Sequence, residues 1–387
     1  MISNPTFFVT PSGYRDSYGK FTSASDPINA CLKSGGADGD SVQLAPGNYP
    51  RLKGPFGLKN IHICGWPRAQ GISTILRDDA VGSTDNVFLG SGDANWILDT
   101  LNLQLDDRAG VKTDNLIGPK LTLIDCNLYG DGSPHDPAWK NNTKWGVHTY
   151  QTSQYGELRS AKWSIYGEHG FYGHNIQGWH HWAQCNSGYL SGCDIFIVNR
   201  QNEGPIGKGD VTIEDHVTKE VCIEQGGSAF TFRGGMPDSS ISMRNVMARL
   251  GCDPLLAAPF NQSICGVVSV DSADETAPGK GDAAWPGGTK ALTLDGCDFE
   301  VGTAWPGVSG QIRPVVQVSS IGSALILGTR IKVTRPAGAY PIAIAVGMDV
   351  GSFKIDATCR IEGWIDYHGT RYTTLPLFLG AHPECAA

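Results

Sequence analysis

Long hydrophobic runs are missing from this chain. No stretch of its 387 residues stays apolar for the length a helix needs to cross a bilayer, so membrane insertion is not expected. Basic charge is also short: 30 Lys and Arg stand against 38 Asp and Glu, a net charge of −8. A protein that grips phosphate backbones needs a basic face, so nucleic acid is excluded as a partner. There is no Gly-x-x-x-x-Gly-Lys-Ser/Thr loop, no Gly-x-Gly-x-x-Gly turn after a strand and no His-Glu-x-x-His pair, which removes the sequence grounds for P-loop, dinucleotide or zincin chemistry. The 11 cysteines are odd in number and scattered, without a Cys-x-x-Cys pair. They read as buried free thiols rather than a disulfide framework or a metal site. The opening MISNPTFFVTPSG lacks the basic stretch and apolar core of a secretory signal, so the expectation is either synthesis in a cytoplasm or expression without a leader, and the free thiols favour a reducing place of synthesis.

Glycine is abundant, at 50 residues, and so is repetition. Five segments overlay without gaps: Leu121–Leu128, Val211–Thr218, Ile241–Ala248, Leu292–Phe299 and Phe353–Arg360. Each opens with apolar–polar–apolar alternation, the mark of a strand with one buried face. Four then carry Asp125, Asp215, Asn245 or Gly296 at the fifth position, residue types that tolerate a left-handed backbone and let the chain corner into a new strand. Ala357 is the exception. Repetition of one supersecondary unit predicts a solenoid, in which each rung packs on its neighbours and one core lengthens with the chain.

The expected organisation is a cap and first strand over 1–50, a parallel β-helix over 51–370 and a C-terminal tail or cap over 371–387. In the cap, Asp26 and Pro27 start a short helix with Ile28, Cys31 and Leu32 as its apolar stripe, ended by Gly35 or Gly36. First strands of successive rungs are expected near Val87, Leu116, Val147, Ile176, Ile195, Phe230, Val268, Val316 and Ile342. Two excursions rich in Gly, Pro and Asp, 129–145 and 271–289, read as loops.

The segments FFVTPSG, the helix after it, GDSVQLAPGNY and NIHICGW resemble the opening of right-handed parallel β-helix proteins of the pectate-lyase-like superfamily. The resemblance implies that fold for nearly the whole chain. It implies little about activity, because the fold carries lyases, hydrolases, epimerases, phage tailspikes and adhesins. Some β-helix lyases hold calcium on aspartate-rich turns. No matching aspartate cluster stands out here, so no cofactor is expected, with calcium as the one ion left open.

The stretch 135–233 is rich in histidine (His148, His169, His174, His180, His181, His216) and holds half of the ten tryptophans, including Trp179 and Trp182. A zinc reading of its histidines finds no recognisable ligand pattern, and no metal ligand is assigned. If Val147, Ile176, Phe230, Val268 and Val316 point inward, alternation places His148, Tyr150, Gln177, Trp179, Thr231, Arg233, Ser269, Asp271 and Gln317 outward on one stacked sheet. An elongated strip with an aromatic platform suits a linear sugar polymer. His148, Tyr150, Arg233 and Asp271 are the candidate catalytic residues, and Gln177, Trp179, Arg200 and Glu203 the candidate substrate-binding residues. A β-elimination lyase would use Arg233 or Arg200 on the uronate carboxylate and Tyr150 or His148 as base. A hydrolase would need two carboxyl groups from among Asp271, Glu203, Asp215 and Glu224.

Three functions follow as expectations. The first is a virion-surface protein, tailspike-like or capsid-decorating, that binds and in its enzymatic form depolymerises a bacterial surface polysaccharide, with capsid or tail proteins as further partners. The second is a secreted polysaccharide lyase or glycoside hydrolase. The third is a non-enzymatic structural or decoration protein.

Overall fold

The computed structural model describes residues 1–50, 52, 60–75, 88–91, 95–104, 111–114, 120–129, 143–150, 155–159, 162–164, 167–200, 207–222, 227–256, 266–271, 288–302, 313–334 and 341–387. Within these, side chains are described except at 35, 88–91, 95, 111–114, 120, 143–146, 148–150, 155–159, 162–164 and 167–168.

The strands stack into three long sheets, one of 14 strands (sheet 1) and two of 11 (sheets 2 and 3). One full turn shows the unit. Ser228–Arg233 lies in sheet 3, Ser240–Arg244 in sheet 1 and Met247–Leu250 in sheet 2, and Gly266–Val270 returns to sheet 3 beside the first strand. Every pairing between rungs is parallel among the described residues, and strand twist gives parallel crossovers of this kind the right-handed sense. The chain is a right-handed parallel β-helix.

The overlay of the repeats is the register of sheet 1. Val211, Ile241, Leu292 and Phe353 occupy one column, continued through Ala324 and, on the other side, through His180 and Gly156 to Leu121. In most described rungs the corner from sheet 1 to sheet 2 is made by one left-handed residue, with φ of 54° at Thr100, 47° at Asp125, 55° at Gln184, 50° at Asp215, 52° at Asn245 and 60° at Gly296. The residue after it points inward: Leu101, Cys126, Cys185, His216, Val246 and Cys297 are all buried. Burial pushes the thiol of Cys126 up to about 12 and that of Cys297 up to about 11, as for small hydrophobes rather than reactive nucleophiles. At Ala357 the corner is one residue longer. Arg360 pairs with Arg330, and Asp356 holds the turn by accepting from the Thr358 N–H at 2.8 Å. A left-handed Ala gains no side-chain hydrogen bond, so an Asx turn replaces it.

The inward column of sheet 3 runs Val147, Phe171, Ile195, Phe230, Val268, Val316, Ile344. All are buried, and each such side chain contributes roughly 1.5–3 kcal/mol by leaving water. Two expected positions shift. The strand expected at Leu116 is Val111–Asp114, and residue 116 lies outside the described residues. Ile176 is buried but sits in the corner after the strand Gly167–His174, where Phe171 takes the column position. Apolar corner residues and apolar strand residues look alike in sequence, which is how the register slipped.

Helix α1 (Pro27–Gly35) buries Ile28, Cys31 and Leu32 against the first rungs. Its N-cap Asp26 accepts from the Asn29 side chain at 2.7 Å instead of capping the backbone. At the other end Trp364–Tyr367 turns back antiparallel to Thr370–Tyr372, and helix α2 (Leu375–Ala381) buries Leu375 and Phe378. No helix among the described residues is long and apolar enough to cross a membrane.

Candidate functional site on the outer face of sheet 3

Sheets 1 and 2 alternate buried and less buried residues along their strands, as Ser240–Arg244 and Asp298–Val301 illustrate. Sheet 3 departs from this. Ile195–Val198 and Gly266–Val270 are buried at every position, and Ser228–Arg233 at all but the last. Both faces of the sheet are therefore withdrawn from solvent in these rungs. Both sequence excursions adjoin this sheet: Tyr129 ends a sheet 2 strand before Thr143 opens one in sheet 3, and Asp271 follows a sheet 3 strand before Gly288 leads into sheet 1.

Outward positions of successive rungs bring together Tyr172, Phe196, Thr231, Ser269 and Gln317, and in the parallel column His174, Val198 and Arg233; by backbone register His148 pairs with Tyr172 and Tyr150 with His174. The described side chains form an aromatic floor with a polar rim. Tyr172 and Phe196 stack at 5.1 Å with an 11° interplanar angle, and His169 stacks on Phe196 at 5.0 Å. His174 meets the edge of Tyr172 at 4.4 Å. The Arg233 guanidinium lies 6.0 Å from the Phe196 ring centroid, and its Nε is 3.7 Å from Oδ2 of Asp271. Asp271 also accepts from the Ser269 hydroxyl at 3.2 Å. Arg200 donates from Nη2 to the Tyr172 hydroxyl at 3.5 Å, a long contact. Phe196, Ser269 and Asp271 are buried, whereas Tyr172, Arg200 and Arg233 remain half-buried at the rim.

The corner after these strands positions Arg200. Asn175, left-handed at φ 45°, accepts from the Arg200 N–H at 2.7 Å and donates to the Arg200 carbonyl at 2.8 Å. One rung on, Asn199 donates to the Gly235 carbonyl at 2.7 Å. Gly234 beside it must be glycine: at φ 81°, a Cβ there would lie 2.0 Å from the Asn199 carbonyl oxygen. Asparagine at a corner is a turn signal, and the sequence reading overlooked Asn175 as the residue that fixes Arg200.

The remaining sequence candidates scatter. Trp179 belongs to sheet 1, where it pairs with Asp210, so it does not share the strip with Arg233. It is 40 % exposed, stacks on His181 at 4.7 Å and donates its indole N–H to Thr212 at 3.0 Å. Gln177 lies in the corner and donates to the Asn175 carbonyl at 3.0 Å. The side chains of His148 and Tyr150, and all of Glu203 and Glu224, lie outside the described residues. Alternation reports which side of a strand a residue faces, not which of three sheets holds it, so one expected strip becomes two.

The histidine-rich stretch separates in the same way. His169 and His174 face outward from sheet 3, His181 faces outward from sheet 1 at 3.4 Å from Glu214, and His180 and His216 are interior. His216 Nε2 lies 2.7 Å from Asp194 Oδ2, with both side chains fully buried. Ser187 donates to the same carboxylate oxygen and lies 2.8 Å from the Thr218 hydroxyl. This is a polar knot inside the solenoid, on the opposite side of the sheets from the sheet 3 floor. Beside the sheet 3 floor, the Cys193 N–H donates to His169 Nδ1 at 3.0 Å. A hydrogen bond from Cys222 holds the Cys193 thiol well below its usual range; burial opposes this, and His169 and Thr231 reinforce it.

One further group of ligating side chains stands on sheet 1, far down the chain from these rungs: His62, Cys64 and Asp99. Burial pushes the Cys64 thiol up, and the Asp99 charge adds to the rise.

No family model matches the chain. No curated protein matches it either. Among solved structures, the chain is similar to the catalytic unit of a thermostable GH87 α-1,3-glucanase from Streptomyces thermodiastaticus, at 14 % identity and a TM-score of 0.38, with 86 % of this chain covered. The chain spans 63 % of the length of that structure.

Proposed function

We propose that the outer face of sheet 3 binds an acidic polysaccharide and cleaves it by β-elimination. The observation that carries this reading is the pairing of two half-buried guanidinium groups, Arg200 and Arg233, around a stacked Tyr172–Phe196 floor. A sugar ring lies flat on such a floor, and arginine is the side chain best shaped to grip a carboxylate. In the step itself the Tyr172 hydroxyl, as phenolate, takes the C5 proton. The electron pair forms the C4–C5 double bond, the C4–O bond breaks, and the leaving oxygen takes a proton from solvent. Arg233 and Arg200 neutralise the uronate as charge builds on it. Tyr172 takes the role expected of His148, its neighbour on the adjacent rung. A hydrolase needs two facing carboxyl groups; beside the two arginines the described carboxyl group is Asp271, and the next in this outward register, Asp366, stands three rungs on from Ser269 and pairs with Arg371. The reading is the same for a virion-borne protein and an exported one.

The test is a panel of acidic polysaccharides followed by absorbance at roughly 235 nm for unsaturated uronate ends, beside a reducing-end assay on acidic and neutral glycans. Unsaturated ends that vanish in Tyr172→Phe and Arg233→Ala support the proposal. Reducing ends without unsaturation would replace it with hydrolysis. No cleavage, together with docking onto capsid or tail, would favour the structural role.

A further inference from the structure

On the outer face of sheet 1, near the N-terminal end of the solenoid, three different donors converge. His62 and Cys64 are two residues apart on the strand Asn60–Cys64 and face outward between the buried Ile61 and Ile63. Asp99 ends the strand Asn95–Asp99 of the next rung and is the register partner of Cys64. His62 Nε2 is 3.5 Å from Asp99 Oδ2, Cys64 Sγ is 3.7 Å from the same oxygen, and all three ligand atoms lie within 4.8 Å of one another.

From these contacts we infer a zinc-type divalent metal site formed by His62, Cys64 and Asp99. Bonds of about 2.0–2.3 Å from zinc to nitrogen, oxygen and sulfur put tetrahedral ligands about 3.3–3.6 Å apart. The two measured edges, 3.5 and 3.7 Å, lie within and just beyond that spacing. His62 Nε2 is buried and faces the Asp99 carboxylate at 3.5 Å, longer than a good hydrogen bond and close to the spacing of two ligands on one ion. Asp99 divides its oxygens: Oδ1 accepts from the Thr100 hydroxyl at 2.7 Å, while Oδ2 is turned to the histidine and cysteine. A ligating carboxylate held from outside in this way is the usual second layer of a metal centre.

The backbone around the site is fixed. Gln43 donates to the carbonyls of Cys64 at 3.2 Å and Gly65 at 2.8 Å, and Gly65 donates to the Asp99 carbonyl at 2.8 Å. A Cβ at Gly65 would lie 2.1 Å from the Thr100 carbonyl oxygen, so the two rungs approach this closely only with glycine there. Thiolate with imidazole selects a borderline-soft ion over calcium or magnesium, which take all-oxygen sets. Three protein ligands leave the fourth tetrahedral position to water. The ion would staple two consecutive rungs across 35 residues of sequence. No motif search finds this set, because only the stacking of rungs joins Asp99 to the His62-x-Cys64 pair.

The experiment uses the full chain, stripped with chelator, and Co²⁺ as the probe. One equivalent should give a thiolate-to-cobalt charge-transfer band with tetrahedral d–d bands, displaced by Zn²⁺ and unaffected by excess Ca²⁺ or Mg²⁺. Cys64→Ser should abolish the charge-transfer band, and His62→Ala should weaken Co²⁺ binding at least ten-fold while leaving the far-ultraviolet spectrum of a β-helix. Cys252→Ser, at the exposed cysteine, should change nothing. If Cys64→Ser does not fold, His62→Ala alone decides, by binding and by loss of the zinc-dependent rise in unfolding temperature. No band in the wild type, or a band that survives either substitution at the triad, overturns the site.

Discussion

The outer faces of sheets 2 and 3 are built on the same rungs, often by strands a few residues apart, and they could hardly differ more. On sheet 2, Arg249, Asp298, Glu300, Arg330 and Lys332 form a ladder of opposite charges, with Arg249–Asp298 at 2.5 Å, Arg330–Asp298 at 2.8 Å and Lys332–Glu300 at 2.9 Å. Burial acts to raise the Asp298 carboxyl, but hydrogen bonds from Arg249 and Arg330 hold it below its usual range. Each charge there is matched by a neighbour one rung away and stays partly in contact with solvent. On sheet 3, two of these rungs present Thr231, Ser269 and Asp271 in burial with Arg233 at the rim, and the rung before them adds buried Phe196 and half-buried Arg200. A backbone that repeats leaves side chains as the sole difference between a wall and a site.

If sheet 3 carries a site rather than the fold, stability must reside in the interior that both faces share. Phe230→Asp strikes that interior at the centre of the stacked column. An unpaired charge there costs several kcal/mol, so the variant should fail to fold cooperatively, as read by circular dichroism and urea unfolding. Asp194→Ala should be next. Removing one member of the buried Asp194–His216 pair typically costs about 3–5 kcal/mol, visible in the urea midpoint. A loss below about 1 kcal/mol would mean the pair is not closed as described.

Glu220 sits at the corner between the two faces and adds a pH signature. Its carboxylate accepts the N–H groups of Gly251, Cys252 and Asp253 at 2.8 to 3.0 Å. Burial outweighs these donors and raises its pKa from 4.5 to about 7. The folded state therefore holds this proton more tightly than the unfolded chain. The resulting stability is complete below about 4.5 and is lost as pH rises through about 7, by at most about 3 kcal/mol. Glu220→Gln should flatten that loss in urea titrations run from pH 4 to pH 8 (roughly the window of the shift). Smallest of all should be Arg330→Ala on the sheet 2 ladder. Ion pairs that stay in contact with solvent are worth about 0–1 kcal/mol, and salt should weaken even that.

Much of this architecture is legible in the chain itself. Four of the five overlaid repeats keep their register through the corner, because a left-handed Asp, Asn or Gly leaves a chemical trace at a fixed place. Ala357 leaves none, and there the overlay slips by one residue. The sites are harder to read. His169 and His180 lie within a dozen residues of each other yet face outside and inside, and Trp179 and Arg233 alternate correctly on different sheets. Strand periodicity fixes the side of the sheet and is silent on the corner count between strands, so it cannot say which outward residues meet. Asn175 on Arg200, and Asp99 on Cys64, are likewise contacts made by stacking rather than by spacing.

The most direct test of the central contrast is a paired binding measurement. Arg233→Ala on sheet 3 and Arg330→Ala on sheet 2 each remove one partly buried guanidinium from the same protein. Isothermal titration with the acidic polysaccharide that the wild type cleaves or binds best should show Arg233→Ala weakened about ten-fold or more, the loss of a charge-assisted contact worth about 1.5–3 kcal/mol, and Arg330→Ala unchanged. Equal affinity in the two variants, whether both retained or both lost, would contradict the assignment of the site to sheet 3.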